Sequence, residues 1–282
     1  MRKEPKPELS IILVNWNCGQ VILDCVESLV NTIKKHSYEI IVVDNDSKDN
    51  SIKHIEEKFS KVKIIKNKFN NLFAGANNQG YETSKGEYIF VLNADTVVTP
   101  HAVDKLLDYM KTEKEQAMTC TLLNRDGTIQ SNMHRGFPTI IRLVTSALYK
   151  KYKFFRFFPS VRNYLSLGQK FDKDFYVEQA PGAALLLKRK LIQDLGYLFD
   201  EKNFPLFYND VDLCYRIKNK KIKILCKTNV RIYHLKGESV KKLSFNKYSV
   251  EYQKSLNNFF RKHHFVISSY FSFMILKLFS KN

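Results

Sequence analysis

Four short apolar runs, each followed by a polar cluster and then by a helical or small-residue stretch, constrain this chain more than any other feature. The runs are residues 9–14 (LSIILV), 38–43 (YEIIVV), 62–65 (VKII) and 87–92 (EYIFVL). The first is a continuous apolar run, long enough for a strand buried on both faces, and the others read as further strands. Between them, Val21, Ile22, Cys25, Val26, Leu29, Val30 and Ile33 share one helical face. Ser47 is placed to cap a helix carrying Ile52, Ile55 and Phe59. Residues 73–84 read as a helix of small residues, and Pro100 suits the first turn of another. This β-α-β order predicts an α/β fold with an open, mostly parallel sheet and helices on both faces. Such sheets bind ligands outside the carboxyl ends of their strands. Those ends carry Asn15-Trp16-Asn17, Asp44-Asn45-Asp46 and Asn93-Ala94-Asp95. One Asp after a strand is usually a turn residue. Three polar clusters along one edge predict a ligand site.

The second half is less regular. Residues 177–187 read as a strand with Pro181-Gly182 as a kink or bulge. Residues 207–216 open a helix with acids in its first turn, and 222–225 and 230–234 read as two strands. A helical pattern runs from Ser244 to His264, followed by an apolar tail at 265–279. That tail is short for a bilayer span, which needs roughly 20 residues. The charge is split along the chain. Residues 1–130 hold 17 Lys/Arg and 18 Asp/Glu, whereas residues 131–282 hold 29 and 10, with 17 of the 21 Phe. A basic, aromatic surface meets phosphate, as nucleic acid or as an anionic membrane, unless it is only a solvated lysine-rich face. Five cysteines without a C-x-x-C pair argue against a disulfide scaffold or zinc finger and suggest a reducing compartment. The first residues, MRKEPKPELS, lack the apolar core of a signal peptide.

Taken together, LSIILVNWN, EIIVVDNDSKDNS, NNLFAGANNQG, GEYIFVLNADTVVTP, PGAALLLKR, FYNDVDLCYRIK and VRIYHLKGES resemble, in this order, the family 2 glycosyltransferases. The flavour is that of the rhamnosyltransferase-like branch, and the resemblance covers roughly residues 8–264. It implies a GT-A fold, in which a Rossmann-like nucleotide-sugar half (1–130) is fused to a smaller acceptor-binding half (131–240) and a helical tail (241–282). It implies an inverting transfer from a UDP- or dTDP-sugar to a glycan or lipid-linked acceptor, in surface polysaccharide synthesis.

The resemblance also implies roles. Asn93-Ala94-Asp95 stands at the family's D-x-D motif, so Asp95 is the carboxylate expected on a Mg²⁺ or Mn²⁺ ion, with His234 completing the shell. Lys236 lies two residues on and could reach a phosphate oxygen. Asp210 is the expected general base, in a place where the family has Glu-Asp and this chain has Asn209-Asp210. Losing that Glu removes a negative neighbour that would raise the pKa of Asp210. Asp212 is expected to be structural and to pair with Arg216 at i,i+4. Asp44 is expected on the base, and Asn15, Asn17, Asn70, Gly75, Asn77, Asn78 and Asn93 along the nucleotide sugar. Leu72 and Ala76 stand where the family commonly has Gly, which places the loop geometry in question.

Neither a P-loop nor a basic Gly-rich loop after the first strand occurs, against an ATPase and against a sugar-nucleotide nucleotidyltransferase. No nucleic-acid-binding module is recognisable, so nucleic acid is not an expected partner. The alternative is a basic nucleic-acid- or membrane-binding protein on an inactive glycosyltransferase fold. Aromatics interleaved with Lys and Arg at 149–164, and the tail, suggest an anionic membrane surface as a partner and a peripheral place on the cytoplasmic face of a membrane.

Overall fold

The computed structural model of the chain describes residues 5–130, 133–235 and 245–263. The four apolar runs form β1 (Leu9–Asn15), β2 (Tyr38–Asp44), β3 (Lys63–Lys66) and β4 (Tyr88–Leu92). They lie in the order β3-β2-β1-β4, all parallel. Successive residues of β1 serve opposite cores. Ile11 and Leu13 pack with Ile22 and Val26 of α1 (Gln20–Thr32) and Leu106 of α4 (Ala102–Thr112). Ile12 joins the opposite core with Ala74 of α3 (Leu72–Thr83). Helix α3 lies close on the sheet at Gly80, where a Cβ would come within 2.5 Å of Ile12 Cγ2. Because β2 and β3 lie on one side of β1 and β4 on the other, the chain reverses direction between β1 and β4. Parallel sheets open a crevice at such a point.

The second half completes the same sheet. Strand β8 (Ala184–Lys188) runs antiparallel to both β4 and β6 (Ala117–Leu123). Strand β9 (Ile224–His234) runs parallel to β6 and antiparallel to β5 (Thr96–Val98) and β7 (Phe175–Val177). The sheet is therefore parallel across its first four strands and mixed beyond them. Of the strand expected at 177–187 only 184–187 is one, in β8; Val177 ends β7, which pairs with β9, and the Pro181-Gly182 stretch crosses from β7 to β8, which pairs with β4 and β6. The two strands expected at 222–225 and 230–234 are the single β9, whose register on β6 shifts between Cys120 and Thr121. Strands β5 and β6 carry no legible apolar run. Thr119 and Thr121 are buried in β6 and donate to the backbone carbonyls of Ala184 and Thr228 at 2.8 and 3.2 Å.

Helix α2 (Ser51–Lys58) begins four residues after Ser47, so Ser47 does not cap it. The Ser47 hydroxyl instead accepts from the Asn17 backbone and the Asn15 amide, tying two loops together. Pro100 precedes α4, whose N-cap is His101. Helix α9 (Phe245–His263) confirms the helical pattern before the tail, and its Leu256, Phe259 and Phe260 are fully buried in the second core. Lys236 and the tail at 265–279 lie outside the described residues.

One buried titratable group gives the fold an acid limit. Burial pushes the His134 imidazole down to about 4 from 6.5. The folded value is depressed, so this stability is present above the unfolded pKa and is lost as pH falls through the folded one. Between about pH 6.5 and 4 the protein is expected to lose about 3 kcal/mol from this residue. Urea denaturation across that range should show the loss, and His134→Leu should flatten it.

Candidate active site

A cavity of about 390 Å³ opens at the crevice between β1 and β4. Its walls come from the end of β1 (Val14, Trp16), the end of β4 (Asn93, Ala94, Asp95) and the start of α3 with its preceding loop (Asn70, Leu72, Phe73). Pro181–Ala183, Leu206–Asp210 and His234 complete the walls. Trp16, Phe73, Phe207 and Tyr208 give it flat apolar faces, and Asp95, Asp210 and His234 supply its carboxyl and imidazole groups.

Asp95 and His234 meet because β5 and β9 pair with Thr96 opposite His234. Their Oδ1 and Nε2 atoms are 3.3 Å apart, and Asn93 Nδ2 lies 3.3 Å from the same ring nitrogen. Gln130 fixes the ring. Its Nε2 donates to the carbonyls of His234 and Leu123, at 2.5 and 3.2 Å, which leaves its Oε1 to face His234 Nδ1 at 3.2 Å. An amide oxygen only accepts, so Nδ1 carries the proton and Nε2 presents its lone pair to the cavity. A carboxylate oxygen and an imidazole lone pair then converge on one point. This is a donor set suited to a divalent cation, with the outer hydrogen bond that orients a metal-ligating histidine. Among the described residues no third His, Cys, Asp or Glu joins them.

Asp210 opens α8 (Asn209–Asn219). Its Oδ2 accepts from Gly182 N–H at 3.1 Å and its Oδ1 from Val211 N–H at 2.8 Å. Burial raises its carboxyl above the ordinary carboxylate range, against the pull of these backbone donors. The upward pressure that the family's neighbouring Glu would supply comes here from desolvation. Asn209 is turned to its own backbone: it donates to Leu206 O and accepts from Asp210 N–H. Tyr208, before the helix, holds φ at +64°, a conformation that costs a non-glycine residue about 1–2 kcal/mol. Strain of this kind persists where surrounding contacts impose it, often at functional sites. Asp212 is fully buried and pairs with Arg216 at 2.8 Å, as its spacing predicts. It also meets Lys262 and His263 of α9, each at 2.7 Å. Burial opposes its charge, but these partners hold its carboxyl below the ordinary range. They pin α8, and so Asp210, against α9.

The structure brings Asn70, Asn93, Asp95, Asp210 and His234 into one cavity. The other expected residues do not line it. Asn15 is buried, and its amide donates to Asp44 Oδ1, Ser47 Oγ and Ser51 Oγ at 2.8–3.0 Å. Asp44 is held by Asn15 and by Ser47 N–H. Asn17 accepts from Lys48 N–H at 2.6 Å. Asn77 donates to Phe73 O within α3, and Asn78 both donates to and accepts from the Phe199 backbone. Gly75 lets α3 pass Glu201, whose Oε2 would lie 3.3 Å from a Cβ there. These side chains brace the loops that shape the cavity. Leu72 takes φ +57°, the left-handed backbone that glycine favours. Asn70 Oδ1 accepts from Leu72 N–H at 2.8 Å and Asn45 Nδ2 donates to Leu72 O at 3.1 Å, which holds that turn.

The sequence singles out neither Phe73, Phe207 nor Gln130, and it marks Trp16 and Asn45 only as members of the strand-end clusters. Trp16 had a signal, since it is the only Trp and directly follows the first strand. Gln130 had none, because its role depends on β6 and β9 meeting in space.

The family described as Glycosyl transferase family 2 matches residues 10–174. The chain is 32% identical over 136 residues to a poly(ribitol-phosphate) beta-glucosyltransferase of Bacillus spizizenii, covering 46% of this chain and 20% of that protein. It is 34% identical over 107 residues to an Escherichia coli UDP-Glc:alpha-D-GlcNAc-diphosphoundecaprenol beta-1,3-glucosyltransferase, covering 38% of this chain and 42% of that one. The chain thus matches less than half the length of either relative. Among solved structures, the mannosyltransferase PcManGT from Pyrobaculum calidifontis, in complex with GDP-Man and Mn²⁺, aligns with a TM-score of 0.61 at 14% identity. That alignment covers 92% of this chain and 64% of the other. S. aureus TarS 1-349 in complex with UDP-GlcNAc aligns at 0.59 and 14% identity, over 97% and 71%. The fold is that of GT-A glycosyltransferases.

Proposed function

The chain belongs to glycosyl transferase family 2, and we propose that it is an inverting, metal-dependent enzyme of surface-glycan synthesis. In this reading a sugar passes from a nucleoside-diphosphate donor to a hydroxyl of a glycan or lipid-linked acceptor. The observation that carries it is the convergence of Asp95 and an oriented His234 in the same cavity as the carboxylate of Asp210. Residues 1–130 serve as the nucleotide half, 131–240 as the acceptor half with the base, and 241–282 as the tail.

The donor lies along the strand ends, between the aromatic faces of the cavity. Asp95 and His234 would hold Mg²⁺ or Mn²⁺, which supplies positive charge to the leaving diphosphate. Asp210 takes the proton from the acceptor hydroxyl as that oxygen attacks the anomeric carbon, and the nucleoside diphosphate leaves from the opposite face. Configuration inverts because there is one displacement. The UDP- and GDP-sugars bound to the aligned structures, and the acceptors in the relatives' names, support these substrate classes. The rhamnosyltransferase-like flavour of the motifs makes UDP- and dTDP-sugars the first donors to examine. With Mn²⁺ present, a matching donor at a hundred times its dissociation constant should stabilise the fold by about 2.7 kcal/mol in a thermal melt. No stabilisation by any UDP-, dTDP- or GDP-sugar would sink the reading.

Peripheral attachment to the cytoplasmic face of a membrane is part of the same proposal. No helix among the described residues is long and apolar enough to cross a membrane. Helix α5 (Ile140–Lys151), the short 3₁₀ turn Lys153–Phe157 and α6 (Pro159–Leu165) instead present aromatics among cations. Ile141 is 68% exposed and Phe157 72%, and Lys153 and Arg156 lie 5.0 and 5.6 Å from the rings of Tyr149 and Phe157. Cations beside exposed rings suit an anionic interface. The full chain should float with phosphatidylglycerol-containing liposomes, and Phe154→Ser/Phe157→Ser should reduce the floated fraction about tenfold or more. Equal flotation of both proteins would remove these rings from the account.

A further inference from the structure

A second cavity, of about 320 Å³, lies in the acceptor half. Its walls include Arg135, Arg162, Asn163, Ser166, Gln169 and Glu178. It is separated from the first cavity by a few residues of one crossing segment. Val177 and Glu178 face the second, and Pro181–Ala183 the first. The segment before α5 is fixed on α6: Gly136 N–H donates to Tyr164 O at 3.1 Å, and Gln179 Nε2 donates to Gly136 O at 2.6 Å. Ser166 Oγ donates to His134 O at 2.5 Å. The cavity is thus built on packed backbone.

Its charge is one-sided. Glu178 is the acid in its wall, and Arg142 neutralises it with two hydrogen bonds at 2.8 and 3.0 Å. Burial keeps His134 neutral at physiological pH. Among the described residues no carboxylate stands within ion-pair distance of Arg135 or Arg162, both of which are exposed. The surrounding sequence has the same bias: no Asp or Glu lies between Asp126 and Asp172, against eight Lys and Arg. Two arginine forks without ion-paired carboxylates, with the Asn163 amide beside them, form a donor array that matches phosphate oxygens.

We propose that this cavity binds a phosphate group of the acceptor through Arg135 and Arg162, and so sets the distance from that phosphate to the hydroxyl that Asp210 deprotonates. The proposal rests on the transferase reading and extends it by naming a phosphate-bearing acceptor. The phosphate could belong to a membrane lipid or to a soluble part of the acceptor, and the two sources are separable.

The test uses the full chain in EDTA with two probes. One is inorganic pyrophosphate, read by calorimetry; the other is phosphatidylcholine vesicles with and without phosphatidic acid, read by flotation. Arg135→Gln/Arg162→Gln should weaken binding at least about tenfold, since hydrogen bonds to charged groups are lost. Lys150→Gln/Lys153→Gln removes the same charge outside the cavity and should have a smaller effect. Asp95→Ala, in the first cavity, should leave pyrophosphate binding unchanged. Loss with pyrophosphate assigns the site to a soluble phosphate, and loss with phosphatidic acid vesicles alone assigns it to a lipid headgroup. Unchanged binding of both probes in the arginine variant overturns the proposal. So does an equal loss in the lysine variant, or a loss of pyrophosphate binding in Asp95→Ala. Thermal melts of each variant with Mn²⁺ and donor sugar are run in parallel. Retained donor stabilisation with no phosphate binding defeats this inference alone, whereas absent donor stabilisation in the parent protein defeats the transferase reading.

Discussion

Asp210→Asn is expected to lower turnover by about 10²–10⁴-fold, the range for removal of a positioned general base. Donor binding should persist, because the amide keeps nearly the same shape and the donor's charge is managed at Asp95 and His234. The Asp210 carboxyl is raised by burial, and only its ionised form can take a proton. Turnover in the parent protein should therefore fall on the acid side with an apparent pKa above the ordinary aspartate value of about 3.9. The residual activity of Asp210→Asn should lack that limb. Steady-state rates from pH 4 to 8, on both proteins, check the two expectations together. Near-normal turnover in Asp210→Asn would remove it from the mechanism.

The second large effect is expected at Asp95. In the transferase reading, Asp95→Ala takes away the carboxylate that would hold the cation, so several kcal/mol of leaving-group stabilisation should be lost. Activity should also vanish in excess chelator and return with Mn²⁺. The Gln130 contacts give a finer test. Gln130 touches His234 at both its ring and its carbonyl and does not line the cavity. Gln130→Ala should therefore weaken Mn²⁺ binding by about 10–100-fold, as loss of an outer hydrogen bond to a metal-bound histidine does. Mn²⁺ paramagnetic resonance titration reads this independently of turnover. Unchanged Mn²⁺ affinity in Asp95→Ala would contradict the assignment.

What could be read from the chain beforehand follows from how local each signal is. Strands β1, β2 and β4 are continuous apolar runs because both faces are covered, and their ends are fixed by the polar residues that follow. Asp95 and His234 were legible singly, but their proximity is not, since it comes from the antiparallel pairing of β5 with β9. Strand β6 hid its burial behind threonines whose hydroxyls find backbone carbonyls. The asparagines expected along the nucleotide sugar were the least legible. A side-chain amide braces a loop or contacts a ligand with the same atoms, and only packing decides, as at Asn15 and Asn78. Leu72 shows the converse. The absence of glycine suggested a different turn, yet Asn70 and Asn45 hold leucine in the left-handed backbone.

The charge asymmetry also acquires a location. Three of the 18 acids of the nearly neutral first half, Asp44, Asp46 and Asp95, stand near strand ends. In the second half, α5, α6 and the turn between them carry six Lys and Arg and no acid, and Arg162 of α6 lines the second cavity.

The most direct test of the central claim is a crystal structure of the full chain with UDP and Mn²⁺. The ion is expected on Asp95 and His234, the diphosphate on that ion, and the space beyond the terminal phosphate facing Asp210. A nucleotide seated away from the β1–β4 crevice, or an ion held without Asp95, would contradict it.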